Sequence, residues 1–231
     1  MAKTTNGVPG TVARSRLTGK YGPLEEYVWT KIEVLQAEYL AGVSSAGASL
    51  ARLRRAVSGE PGADPSIWDE TIGGLPSQFL GGDLTVSTEE RAVHAALTLY
   101  ATHQQSKQEK MHRRGISFGA ASGKLGYAVS GTPGARSPAV LRRFQALSTA
   151  SSFGESLVHA RGLIGQFRSE GIALDYGRMA VDLARLQDPR SADQVRLEWG
   201  RAYYFKATDP DVPGPSEKSV TASMTSNGDN A

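Results

Sequence analysis

Ten basic side chains lie between Tyr100 and Arg168, and only two acidic ones. Lys107, Lys110, Arg113, Arg114, Lys124, Arg136, Arg142, Arg143, Arg161 and Arg168 stand against Glu109 and Glu155. The stretch nets +8 in a chain of 231 residues that carries only +3 overall. Residues 59–99 lean the other way, with Arg91 alone against Glu60, Asp64, Asp69, Glu70, Asp83, Glu89 and Glu90, a net of −6. A merely soluble surface mixes its signs. Charge sorted in this way makes a face for a polyanion, and nucleic acid is the commonest one. Each phosphate neutralised releases counterions, with a salt slope of about −0.7 per contact on a single strand. A handful of contacts gives binding that is blind to sequence and weakens steeply with salt. Reading bases needs donors on an element that enters a groove or a sheet that stacks bases, and no such motif is present.

Other chemistry finds less support. The chain has no cysteine, which removes disulfides, zinc–thiolate sites and thiol nucleophiles together and fits a reducing cytoplasm. The run Gly119-Ala120-Ala121-Ser122-Gly123-Lys124-Leu125 imitates a phosphate-binding loop. It is one residue short between its glycines, puts Leu125 where a magnesium-holding hydroxyl belongs, and follows no strand. His94, His103, His112 and His159 lack metal-ligand spacing, so no metal and no cofactor is expected. A metal-free ribonuclease using His103 and His112 as acid and base is the one catalytic alternative. The plainer reading makes His103 a brace at a helix end and leaves His112 exposed. No serine sits in a nucleophile elbow. No apolar run approaches the length of a membrane helix, and the N-terminal residues lack the apolar stretch of a signal peptide.

The elements that must carry the basic groups read as helices throughout. Pro23 opens a helix with Leu24, Val28, Leu35 and Tyr39 inward, ending at Gly42. Ser45 caps a second, whose Leu50, Leu53 and Val57 face inward. Short helical turns are expected around Trp68 and Phe79. Ser87 and Glu90 have capping-box spacing for a long helix that fades near Lys110. Ile116 to Leu125 predicts a short helix inside a glycine-rich stretch. Ser137-Pro138 starts the next, with Val140, Leu141, Phe144 and Leu147 inward. Ser152 with Glu155 forms a second capping box, for a helix ending at Gly171. Asp175 caps another, and a last one begins near Ser191. The expected class is all-α: two small helical bundles joined by a glycine-rich connection, with disordered terminal tails. The segments are a flexible arm over 1–20, an N-terminal helical domain over 21–114, a connection over 115–136, a C-terminal helical domain over 137–207 and a disordered tail over 208–231.

On these helices Arg142 and Arg143 flank the buried positions of their helix, and Arg161 and Arg168 lie two turns apart on one face. Arg54 and Arg55 flank Leu53. Lys107, Lys110, Arg113 and Arg114 cluster where the long helix runs out.

Several runs of residues then fall into a familiar order. Leu53-Arg54-Arg55-Ala56 comes first, with Trp68 after it. Ala101-Thr102-His103-Gln104-Gln105-Ser106, Met111-His112-Arg113-Arg114 and Ile116-Ser117-Phe118-Gly119 follow. Leu141-Arg142-Arg143-Phe144-Gln145-Ala146-Leu147, Arg161-Gly162-Leu163-Ile164, Leu174-Asp175-Tyr176, Arg196-Leu197-Glu198-Trp199-Gly200-Arg201 and Tyr203 complete the series. Between about Gly22 and Phe205 the chain resembles the CasB family, the small subunit of the type I-E CRISPR Cascade complex. The resemblance implies an all-helical protein of two small bundles with no enzymatic activity. It implies two copies forming the inner belly of a complex with backbone and large subunits. There they lie along the hybrid of guide RNA (crRNA) and target DNA and hold the displaced non-target strand. Arg54, Arg55, Arg142, Arg143 and Arg161 match basic positions of the family's nucleic-acid face, and Lys107 matches another. After Ile-Ser-Phe-Gly the family commonly continues with a basic residue, whereas this chain has Ala120-Ala121-Ser122, with Lys124 close behind. The candidate nucleic-acid-binding set is thus Arg54, Arg55, Lys107, Lys110, Arg113, Arg114, Lys124, Arg142, Arg143, Arg161 and Arg168, with no catalytic and no metal-binding residue. A free-standing, sequence-independent helical nucleic-acid binder is the main alternative.

Overall fold

The computed structural model describes residues 19–205, and among them the regular structure is helical apart from one isolated bridge. Most of the expected N-terminal arm, and the tail expected over 208–231, lie outside the described residues. The helices are α1 (Gly22–Leu40), α2 (Ser44–Arg55), α3 (Trp68–Thr71), α4 (Thr88–Gln104), α5 (Phe118–Ala128), α6 (Pro138–Thr149), α7 (Phe153–Ser169), α8 (Tyr176–Leu186) and α9 (Pro189–Tyr204). Short 3-10 turns at Ala56–Ser58, Pro65–Ile67 and Ser77–Phe79 complete the set, so the turns expected around Trp68 and Phe79 are present.

Helix α4 is apolar nearly all round, and every residue from Ala92 to Ala101 is buried. Such a helix is stable only when enclosed. It packs against α8, α2, α7, α1 and α3. Helix α8 is almost as enclosed and bridges α1, α4 and α9. Helix α5 lies along α9, and α6 lies along α7. One continuous cluster of buried side chains runs from Leu24 on α1 to Tyr203 on α9.

The caps follow local chemistry. Ser87 Oγ accepts from the Glu90 amide at 2.9 Å while the Glu90 carboxylate accepts from the Ser87 amide at 2.7 Å, the full reciprocal box. The second expected box is only half formed. Ser152 Oγ accepts from the Glu155 amide at 3.2 Å, but the Glu155 carboxylate turns to the amide and hydroxyl of Ser151 instead. Asp175 caps α8 through the Arg178 amide. Three boundaries differ from expectation. Helix α2 begins at Ser44 after Val43, which contributes no side-chain cap, and α9 begins at Pro189 with Asp188 as its cap. Helix α4 stops at Gln104 rather than fading near Lys110. Its end is set by Ser106, at φ 59°, and by the Gln104 side chain. That amide donates to the carbonyls of Lys107 and Glu109 at 3.1 and 2.9 Å and accepts from the Met111 amide at 3.1 Å. The turn carrying Lys107 and Lys110 is therefore moulded on one buried glutamine.

The glycines of α5 serve packing, not phosphate binding. A Cβ on Gly119 would sit 2.1 Å from the Trp199 carbonyl oxygen, and one on Gly123 would sit 2.5 Å from that of Tyr203. The run that imitated a phosphate loop is a smooth helical stripe on which α9 lies. Because 119 meets 199 and 123 meets 203, the two helices run parallel, with α5 continuing past the last turn of α9.

Candidate nucleic-acid interface

The basic residues fall on three neighbouring regions. The first joins α2, α7 and the end of α4. Arg161 Nη1 donates to Ser58 Oγ at 3.0 Å, which sets α7 beside the turn that follows Arg54 and Arg55. Further along α7, Arg168 Nη1 donates to Gln105 Oε1 at 3.1 Å, two residues from Lys107. Lys107 lies 4.0 Å from Glu109, the only carboxylate near its ammonium group among the described residues. Arg55 and Arg161 are exposed, while Arg54, Lys107 and Arg168 are half-buried. Helix α7 thus brings Arg161 and Arg168 beside Arg54 and Arg55 at the end of α2 and Lys107 after the end of α4.

The second region lies on α5 and α6, where Lys124, Arg142 and Arg143 are exposed. The buried Val140, Phe144 and Leu147 of α6 fix the outward aim of the arginine pair. Among the described residues, Arg54, Arg55, Lys124, Arg142, Arg143 and Arg161 form no ion pair. Since α6 packs on α7, the two regions sit on adjacent helices.

The third region is a cleft of about 410 Å³ lined by Glu33, Gln36, Ala37, Lys110, His112, Arg113 and Arg114. Lys110 and Arg113 are exposed here, but Arg114 is engaged. Its Nε and Nη2 donate to the two carboxylate oxygens of Glu33 at 2.6 and 2.8 Å, and its guanidinium lies 4.1 Å from the Trp29 ring centre. That hydrogen bonding holds Glu33 below the usual carboxylate range and raises Arg114. Trp29 Nε1 in turn donates to Asp175 Oδ1 at 2.7 Å, and the Gly115 amide donates to Asp175 Oδ2 at 2.6 Å. The Arg114 guanidinium is part of the joint between α1 and α8.

His112 is buried, not exposed as expected. Residues 111–113 run beside 172–175 in the one isolated bridge, and Gln36 brackets the His112 backbone at 2.8 and 3.2 Å. Its Nδ1 lies 3.2 Å from both the Tyr176 amide and the Leu174 carbonyl oxygen, and its Nε2 is 3.9 Å from Glu33 Oε1. His103 braces the fold as expected, with Nδ1 2.9 Å from the Tyr176 hydroxyl. Burial drives its imidazole down to about 3. Neither ring has the access or the basicity that acid–base cleavage of RNA requires. Among the described residues no group of three His, Asp or Glu side chains is placed to hold a metal ion, and no helix is long and apolar enough to cross a membrane.

Sequence reasoning missed Glu33, Trp29 and Gln36, which draw no attention until the fold brings α1 beside residues 111–115. It counted Arg136 among the basic residues but left it out of the binding set; its guanidinium lies 4.3 Å from the ring centre of Tyr127 and within 5.6 Å of that of Tyr204.

With the helices and their cations placed, comparison with known families decides the kinship. The family model for CRISPR-associated protein Cse2 matches residues 49–204, about two thirds of the chain. The chain belongs to the Cse2 family. CasB from Thermobifida fusca shares its fold with a TM-score of 0.65 and 28% identity, over 80% of this chain and 99% of that one. A CRISPR-associated Cse2-family protein from Thermus thermophilus superposes with a TM-score of 0.55 at 22% identity, covering 79% of this chain and 97% of that one. A chain of a CRISPR RNA-guided surveillance complex has the same fold, with a TM-score of 0.54 at 18% identity over 78% and 92% of the two chains. No curated protein sequence matches the chain. The CasB resemblance read from the residue runs is therefore correct, and the all-α class with it.

Proposed function

We propose that this Cse2-family chain is the small, non-catalytic subunit of an RNA-guided type I-E Cascade complex in a prokaryotic cytoplasm. In this reading two copies sit beside the backbone and large subunits. They contact the guide RNA–target DNA hybrid and hold the displaced non-target strand. Base pairing chooses the sequence, and the protein grips the sugar–phosphate chain. The observation that carries the reading is the set of exposed arginines that have no carboxylate partner among the described residues, Arg142 and Arg143 on α6 and Arg161 on α7, in a protein of this family. The burial of His103 and His112 supports a non-catalytic role.

The test replaces Arg142 and Arg143 together with glutamine and measures retention of opened target DNA by the assembled complex against salt. The slope should fall by about 1.4, two contacts on a single strand, with target choice unchanged. Altered target choice would defeat the reading. So would the behaviour of a free-standing binder: the isolated chain gripping duplex DNA tightly and no defined short RNA copurifying with it.

A further inference from the structure

We infer that the end of the bundle where α5, α6 and α9 meet is a stacking platform for the unpaired bases of a single strand. The inference rests on the nucleic-acid reading above and extends it from phosphates to bases.

The parallel packing of α5 on α9 puts their C-termini at the same end of the bundle, and the Ser137 amide ties the start of α6 to the same place by donating to the Gly126 carbonyl at 2.8 Å. Large apolar groups remain open there: Tyr127 is 42% exposed, Tyr204 53% and Phe205 73%. Tyr127 and Tyr204 are held in place. The Arg136 guanidinium lies 4.3 Å from the Tyr127 ring centre, 5.3 Å from that of Tyr203 and 5.6 Å from that of Tyr204. Its Nη2 donates to the Tyr204 carbonyl at 3.2 Å. Tyr204 meets Tyr203 edge-on at 5.0 Å, and buried Tyr203 stacks on Phe144 of α6 at 5.2 Å. Rings fixed this way lose little freedom when a second ring settles on them.

The surrounding charge selects the ligand. From Phe118 to Gly154, the stretch that carries α5 and α6, the chain has four lysines and arginines and no aspartate or glutamate. Lys124 lies one turn before Tyr127, Arg201 lies one turn before Tyr204, and Arg143 precedes Phe144; all three cations are exposed and, among the described residues, without an ion pair. Glu198, the acidic residue of α9 nearest this end, is turned to Arg185 at 3.2 Å. Exposed aromatic rings with unpaired cations close by along the same helices fit a chain that alternates π faces with phosphates. An apolar protein surface would satisfy the rings and leave the cations unanswered.

The test uses the full chain and two dye-labelled strands of equal length at low salt, oligo(dT) and an abasic deoxyribose-phosphate chain. The wild type should hold oligo(dT) about tenfold or more tighter. Tyr127→Leu and Tyr204→Leu should each close most of that gap, leaving abasic affinity and salt slope unchanged. Tyr204→Trp should keep the gap, which separates stacking from a folding defect. Equal wild-type affinity for both strands overturns the platform and leaves the phosphate reading standing, whereas binding of neither strand overturns that reading as well. If the leucine variants bind oligo(dT) normally but fail to enter the assembled complex, the patch is a protein contact and the inference is wrong.

Discussion

Arg114 holds Glu33 by two parallel hydrogen bonds of 2.6 and 2.8 Å, with its guanidinium over Trp29. A planar fork matched to a carboxylate and an indole is a structural joint, and few donors remain for a phosphate. Arg114→Gln should therefore lower stability by about 1–2 kcal/mol. The salt slope of nucleic-acid binding should stay as in the wild type, while Arg113→Gln next door should reduce it without moving the melting temperature. Thermal melts and salt titrations of the two variants distinguish them. A changed slope with an unchanged melt for Arg114→Gln reverses the assignment.

The glycines of the chain divide by what a methyl group would strike. Gly119 and Gly123 face the backbone of α9, whereas Gly165 on α7 has nothing within 4 Å. Gly123→Ala must push α5 away from α9 and should cost about 3 kcal/mol or more. Gly165→Ala removes only a helix-interior glycine and should stabilise by about 0.5–1 kcal/mol. Denaturant melts of the two variants should move in opposite directions, and a shared direction would sink the close-packing account.

Helical periodicity exposed most of the fold before any coordinates. Leu50, Leu53, Val140, Phe144 and Leu147 are all buried where a spacing of three to four residues put them inside, and Val57 and Leu141 beside them are half-buried. Caps were legible because Ser87, Ser152 and Asp175 act within three residues of themselves. What escaped was whatever depends on distant chain. His112 looked exposed because no local pattern announces that residues 111–113 will lie beside 172–175. Arg114 looked like any other cation because Glu33 is 81 positions away. The short helix over Ile116 to Leu125 was legible, but the purpose of its glycines was not, because a smooth stripe has meaning only beside the helix that uses it.

The turn that carries Lys107 and Lys110 depends on Gln104. Its buried amide bonds two carbonyls and one backbone amide across residues 107–111. Leucine has similar volume but would leave those three backbone groups without their partner. Gln104→Leu should cost about 2–3 kcal/mol and speed amide exchange from Ser106 to His112 more than elsewhere. Helicity should be unchanged, since α4 already ends at this residue. Uniform exchange across the molecule would show that the turn does not rely on this side chain.

Acid should destabilise the protein, and the sign follows from four buried groups. Burial lowers His94, His103 and His112, with His103 brought down to about 3. An unfolded histidine takes up its proton near 6.5, so the stability these groups contribute is complete above that value and is lost as pH falls towards the folded values. For His103 alone the loss by pH 5 is about 2 kcal/mol. Asp182 works in the opposite sense. It is enclosed by α8 and α9, accepts from Trp199 Nε1 at 2.7 Å, and has Arg178 and Arg185 at 4.0 and 3.9 Å. Burial outweighs those partners and pushes its carboxyl up to about 6. Its contribution is complete below its unfolded value and is lost as pH rises through 6. Three groups against one set the net direction, so the melting temperature should fall between pH 7 and pH 5. Asp182→Asn keeps an acceptor for Trp199 and removes the opposing contribution, so its fall should be steeper than that of the wild type. His103→Gln should make the fall shallower. Calorimetric scans of the three proteins at pH 7 and pH 5 check the order, and a wild type that melts higher at pH 5 would reverse the sign of the whole scheme.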